Sequence, residues 1–188
     1  MNPRFPIYIV SKGRHEKRAT SRALERIGVP YFIVVEEQER DLYASVIDEK
    51  KILVLDNSYK RDYDLVMDLG SIHSTGPGPA RNFAWDHSIA SGHEWHWVMD
   101  DNIRWFQRLY RNRKIRLGDG TGLRVMEDFC LRYENIAMAG PNYHYFASRK
   151  EKMAPLVMNT RIYSCILIQN RLPHIRLTAE PLCDCQNY

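Results

Sequence analysis

The sequence predicts one α/β domain built on a mixed, mainly parallel sheet, and three observations carry that prediction. Short apolar runs rich in β-branched residues recur along the first half of the chain. Amphipathic stretches of helical spacing separate them. An acidic triplet, Asp100-Asp101-Asn102, closes the apolar run Trp95–Met99. Strands separated by helices of about ten to fifteen residues favour parallel βαβ units with right-handed crossovers. In open sheets of this kind ligands gather at the carboxyl ends of the strands.

Taken in order, Phe5 to Val10 is a buried strand, broken by Ser11-Lys12-Gly13-Arg14. Glu16 to Ile27 carries Ala19, Ala23, Leu24 and Ile27 at helical spacing, with Gly28 as its C-cap. Tyr31 to Val35 is a second strand, Gln38 to Ile47 a second helix and Ile52 to Leu55 a third strand. Gly76-Pro77-Gly78-Pro79 is a turn cluster that places Pro79 as a first helical residue. The helix then runs from Ala80 to Ala90 with Ala80, Phe83, Ala84 and His87 along one side. Trp95 to Met99 is the next strand. Leu123 to Tyr133 reads as a helix with Val125, Met126, Phe129 and Cys130 as core candidates, after a flexible Gly118–Gly122 loop. Ile136–Ala139 and Tyr163–Ile168 read as late strands. The strand ends place Ser11–Arg14, Glu36-Glu37, Asp56-Asn57 and Asp100–Asn102 on one rim.

Composition narrows the function classes. With 44% hydrophobic and 27% charged residues, the 188-residue chain is globular and large enough for a sizeable core. No apolar stretch reaches bilayer length, and the N-terminus lacks a signal-peptide layout, so no membrane is expected. The four cysteines, Cys130, Cys165, Cys183 and Cys185, form neither a disulfide framework nor a zinc pair, which predicts a reducing, cytoplasmic setting. A net charge of +4 does not by itself establish nucleic-acid binding. There is no Gly-x-Gly-x-x-Gly after the first strand and no Walker loop, so neither a dinucleotide site of that kind nor a P-loop NTPase is supported.

The middle of the chain carries the chemistry. A glycine approach, a helix start and Arg81 in the first helical turn suit a phosphate, because free N–H groups and the helix dipole favour anions. Carboxylates at a strand end suit Mg²⁺ or Mn²⁺, which recruit one or two acids beside substrate phosphates. Taken singly, Asp100-Asp101-Asn102 also reads as a turn and Arg81 as a solvated charge. In series, GPGPARNFAWDHSIASGHEWHWVMDDN resembles the Gly-x-x-x-Ala-Arg-Asn … Asp-x-Asp segment of family-2-type glycosyltransferases with the GT-A fold. More narrowly, YIVSKGR, VPYFIVVEEQE and WHWVMDDNI resemble the TET-associated glycosyltransferases of phages and the related base J glucosyltransferases. The resemblance covers about residues 5–170.

That resemblance implies a nucleotide-diphosphate sugar as donor, Mn²⁺ or Mg²⁺ as cofactor, and a hydroxymethylated pyrimidine in DNA as acceptor. By position, Asp101, supported by Asp100 and Asn102, holds the metal and the donor diphosphate, with Asp100 and Asp101 as catalytic acids. Ser11, Lys12 and Arg14 face the donor nucleotide, Glu36 or Glu37 its base or ribose, and Arg81 and Asn82 its ribose and phosphates. On residue chemistry alone, Lys12 and Arg14 also read as solubilising charges, and Glu36-Glu37 as favouring a following helix N-terminus. An acceptor hydroxyl on a glycan, lipid or protein is the alternative enzymatic reading. A silent nucleic-acid-binding module is the alternative from another class.

After Asn102 the chain turns basic and aromatic. Arg104, Arg108, Arg111, Arg113, Lys114 and Arg116 are interleaved with Trp105, Phe106 and Tyr110. Basic side chains neutralise phosphates and aromatics stack on bases, so Arg104, Arg108, Arg111, Arg113 and Lys114 are candidate DNA contacts. A solvated basic face over a core Trp105-Phe106 pair is the other reading. Tyr143-His144-Tyr145-Phe146 reads either as an acceptor pocket lining or as a buried aromatic cluster. The C-terminal part, about residues 171–188, is atypical or incomplete beside the resembled enzymes, which continue into an acidic segment. An inverting transfer needs a base, for which Glu180 and Asp184 are the carboxylates at hand. A retaining reaction, a truncated gene product and a base supplied elsewhere are the alternatives.

Overall fold

In the computed structural model, residues 1–61, 76–147 and 154–172 are described. Strand β1 (Ile7–Val10) lies inside a six-stranded sheet, with β2 (Phe32–Val35) and β4 (Trp95–Asp100) parallel on either side. Strand β3 (Ile52–Val54) extends the sheet parallel to β2. Beyond β4, β8 (Cys165–Gln169) runs antiparallel, and the short β7 (Met138–Ala139) pairs antiparallel with β8. The order is β3-β2-β1-β4-β8-β7, so the expected mixed, mainly parallel α/β sheet is present. It is compatible with a nucleotide-diphospho-sugar transferase fold.

The period-two alternation of the strands divides the core between the two faces. Ile7, Ile9, Ile33, Val35, Trp97 and Met99 pack with Leu24 of α1 (Ala19–Arg26) and Leu123 of α5 (Thr121–Cys130). Tyr8, Val34 and Val98 pack on the other face with Ala84 of α4 (Gly78–Ala90). Strand β1 is buried at every position, which is why its sequence is a continuous apolar run rather than an alternating one.

Helix limits differ from the sequence reading where local chemistry intervenes. Helix α1 begins at Ala19 rather than Glu16, because Arg18 takes a positive φ of 25° and interrupts the turn before it. Its end is as expected. Gly28, at φ 65°, donates to the Glu25 carbonyl at 3.1 Å, and Val29 donates to that of Leu24 at 3.0 Å, a Schellman cap. The expected helix over 38–47 is a 3₁₀ turn, Glu37–Glu39, running into the short α2 (Arg40–Ala44). A one-turn helix, α3 (Ser58–Arg61), follows β3. Pro77 caps α4 and Pro79 is its second residue, one place later than expected.

Helix α5 requires the main correction. Val125 is 58% exposed, while the inward face carries Leu123, Glu127 and Cys130. Glu127 is fully buried because three N–H groups converge on its carboxylate. The Arg4 and Phe5 amides donate at 2.7 and 3.3 Å, and the Trp97 indole donates at 2.8 Å. Ionised groups are buried only when their lone pairs are met in this way. The acid therefore ties the N-terminal segment, β4 and α5 together.

Between β4 and α5 a hairpin of β5 (Gln107–Tyr110) and β6 (Arg113–Arg116) stands apart from the main sheet. Its two turn residues, Arg111 and Asn112, both have positive φ, 46° and 61°. That is the primed turn whose twist matches antiparallel strands. Phe106 at its base enters the core, but Trp105 is 44% exposed, so the two aromatics do not form a core pair. The Arg26 and Arg116 guanidinium groups lie 4.2 and 3.5 Å from the Trp105 ring centre.

Candidate functional site

The loop after β1 and the end of β4 meet at one point, because the two strands are parallel neighbours with Val10 paired to Asp100. Gly13 at φ 68° turns the Ser11–Arg14 loop back over the sheet edge, and its amide donates to Glu39 Oε1 at 2.6 Å. Two side chains of that loop converge on Asp101. Ser11 Oγ donates to Oδ2 at 2.8 Å and Arg14 Nη1 to Oδ1 at 2.7 Å. Ser11 has a single proton, which goes to the carboxylate. Tyr43 Oη, 2.6 Å away, therefore donates to Ser11 and itself accepts from the Arg14 amide at 3.2 Å. Burial pushes the Tyr43 hydroxyl up despite the Ser11 and Arg14 bonds, so it remains a proton donor at neutral pH.

Asp100 is held from the other side. Arg81, in the first turn of α4, donates Nη2 to Asp100 Oδ1 at 2.6 Å. The Asp100 amide donates to the Ser164 carbonyl at 2.8 Å at the start of β8. The Asp100–Ile103 turn is fixed by Thr20, a fully buried residue of α1. Its hydroxyl donates to the Asp100 carbonyl at 2.5 Å and accepts from the Ile103 amide at 2.8 Å.

A third group sits at the end of β2. Glu36 is 9% exposed and receives Lys12 and Lys60, each with Nζ at 2.8 Å from Oε1, together with the Gln38 amide. Burial alone would raise the Glu36 carboxyl, but the two lysines outweigh it and hold the group below its ordinary value. The rim thus sets Lys12, Arg14, Lys60 and Arg81 against Glu36, Asp100 and Asp101. Glu39, on the Gly13 amide, adds a fourth carboxylate, so the cations and acids of the rim are matched in number.

Most of the residues expected at the site come together: Ser11, Lys12, Arg14, Glu36, Arg81, Asp100 and Asp101. Asn82 follows Arg81 in the first turn of α4, half-buried. Glu37 is exposed and opens the 3₁₀ turn, so only the first acid of the Glu36-Glu37 pair joins the network. Asn102 is exposed in the turn after β4. Glu180 and Asp184 lie outside the described residues. Thr20, Tyr43 and Lys60 join the site without any sequence signal. Their residue types carry no motif, and only the fold brings Tyr43 and Lys60 to the strand ends.

The donor set fits Mg²⁺ or Mn²⁺ of the kind shared with substrate. Asp100 and Asp101 present adjacent carboxylates of hard-oxygen character, and Asp100 Oδ2 has no hydrogen-bond donor among the described residues. No group of three or more acidic, histidine or cysteine side chains able to cage an ion occurs among the described residues. Mg²⁺ sites commonly use one or two carboxylates and complete their shell with water and phosphate oxygens.

The expected DNA contacts lie on and near the hairpin. Arg104, Arg108, Arg111 and Arg113 are exposed. Arg108 and Arg111 flank the Tyr110 ring at 5.0 and 5.3 Å. Lys114 is half-buried, and its ammonium donates to the His144 carbonyl rather than standing free. Among the described residues no helix is long and apolar enough to cross a membrane.

The family model described as TET-Associated Glycosyltransferase matches residues 5–184. No curated protein and no solved structure matches the chain. The chain belongs to the TET-associated glycosyltransferase family and is a glycosyltransferase.

Proposed function

Taking that membership as premise, we propose that the enzyme moves a sugar from a nucleotide-diphosphate sugar to the hydroxyl of a hydroxymethylated pyrimidine in DNA, with Mn²⁺ or Mg²⁺ as cofactor. The observation that carries the donor half is the convergence of Ser11, Arg14 and Arg81 on Asp101 and Asp100 at the ends of β1 and β4. Asp100 and Asp101 would hold the metal, which when bound stabilises negative charge on the departing diphosphate. Arg14 and Arg81, which border the two carboxylates, would bind phosphate oxygens of the donor. Ser11 and Tyr43 keep Asp101 oriented. Glu36, between Lys12 and Lys60, would meet the donor base or ribose.

The acceptor half is supported by the exposed basic hairpin that follows the acid pair by a few residues. Its arginines suit a phosphate backbone, and a pyrimidine in a duplex must leave the stack before its hydroxymethyl group can reach the donor. We further propose that the chain works as one domain. With Cys130 and Cys165 as buried free thiols, a reducing cytoplasmic setting is proposed as well. The test is to incubate the protein with Mn²⁺, a panel of nucleotide sugars, and DNA with or without 5-hydroxymethylcytosine. Sugar on the modified DNA alone is the expected outcome. Sugar transferred to a glycan, lipid or protein hydroxyl, with modified DNA untouched, would refute the acceptor assignment and keep the donor site.

A further inference from the structure

Four exposed aromatic rings cluster near the start of β8. Tyr143, Tyr145, Phe146 and Tyr163 are 41%, 82%, 61% and 40% exposed. Tyr143 lies 5.9, 5.8 and 6.2 Å from Tyr145, Phe146 and Tyr163, centre to centre, and Phe146 lies 5.8 Å from Tyr163. Aromatic side chains of this size are normally buried, so a contiguous exposed set calls for a ligand. The shelf is fixed at both ends. Toward the site, Tyr163 precedes Ser164, whose carbonyl receives the Asp100 amide at 2.8 Å. Ser164 is at φ 57°, strained for a serine, and the Cys165 amide closes a tight turn onto the Tyr163 carbonyl at 2.6 Å. Toward the hairpin, His144 Nδ1 is 2.9 Å from Gln107 Oε1, and the His144 carbonyl receives Lys114. The segments that carry the shelf are thus tied to the Asp100 backbone on one side and to the basic hairpin on the other.

We propose that this shelf is the stacking platform for an unstacked acceptor base, and that the enzyme takes its polynucleotide in single-stranded or locally opened form. The inference rests on the DNA-acceptor reading above. Ring faces receive bases of any identity, and the exposed Arg108, Arg111 and Arg113 alongside supply the complementary charge for the backbone. An uncharged oligosaccharide would find the rings but leave the arginines unused.

The test is fluorescence anisotropy with a labelled single-stranded oligonucleotide and its duplex, against wild type, Tyr145→Ala, Tyr145→Phe and the double variant Tyr143→Ala/Phe146→Ala. Tyr145 is largely exposed, so its replacement leaves the fold intact. Nucleotide-sugar binding, unchanged in every variant, provides the control. The single strand should bind more tightly than the duplex. Tyr145→Ala should weaken single-strand binding about 5- to 100-fold with an unchanged salt slope, and Tyr145→Phe should restore it. Single-strand affinity equal to wild type in both alanine variants would overturn the shelf and leave the DNA reading standing. Wild type that binds oligosaccharide and neither form of DNA would overturn both.

Discussion

At the scale of single residues, the acids of this protein divide by what surrounds them. Asp100 and Asp101 sit at an open strand end and are held by residues that can let go, whereas Glu127 is closed in by two amides and an indole. Replacing Glu127 with alanine orphans those donors, at about 2–4 kcal/mol. For a chain of this size that lowers Tm by roughly 5–15 °C, read by thermal denaturation. The donor site should keep its nucleotide affinity at low temperature. Lys60→Met should act oppositely, weakening nucleotide-sugar binding by about 1 kcal/mol with little loss of Tm. Because Lys60 helps hold the Glu36 carboxyl down, the same variant should move Glu36 titration upward, which carboxyl NMR would follow. An unmoved titration would remove Lys60 from the network.

Among the elements, the hairpin is the piece that separates donor from acceptor. Replacing Arg108, Arg111 and Arg113 together by alanine should weaken DNA binding across sequences. Each lost phosphate contact should flatten the log–log salt dependence by about 0.7–0.9. Donor binding should persist, and unaltered DNA affinity and salt slope would reduce these arginines to a solvated face. The hairpin also marks how far the sequence can be read. The strand ends were legible, because continuous apolar runs followed by polar loops place Ser11, Glu36 and Asp101 without tertiary information. The hairpin was not, since Gln107 to Arg116 lacks apolar alternation and its turn uses Arg111-Asn112 instead of the usual glycine. The helical spacing misplaces Val125 in the core for a related reason. Helical spacing alone cannot tell that a glutamate will take the inward position, because three donors from distant segments decide it.

For the whole molecule, acid sensitivity should come from the face of the sheet beneath α4. His96 is fully buried, and its Nδ1 lies 2.5 Å from Asn170 Oδ1. Asn170 Nδ2 donates to Ser88 and to the His93 carbonyl, so Asn170 Oδ1 is the acceptor and His96 Nδ1 carries the proton. Burial pushes His96 down to about 4, and His87 is shifted in the same direction by burial. The unfolded chain then binds protons below its ordinary histidine value while the folded chain does not. Stability is therefore complete above about pH 6.5 and falls by about 3 kcal/mol toward pH 4 on account of His96. Urea midpoints measured across that window should follow this slope, and His96→Gln should make it shallower. The central claim is that one rim, at the ends of β1 and β4, binds the donor and its metal. Titration calorimetry of the nucleotide sugar that supports transfer, with and without Mn²⁺, into wild type and Asp101→Ala tests it most directly. Wild type should bind with Mn²⁺-dependent affinity, and the variant should lose that dependence while its far-UV circular dichroism is unchanged. Equal, Mn²⁺-dependent affinity in both proteins would contradict the account.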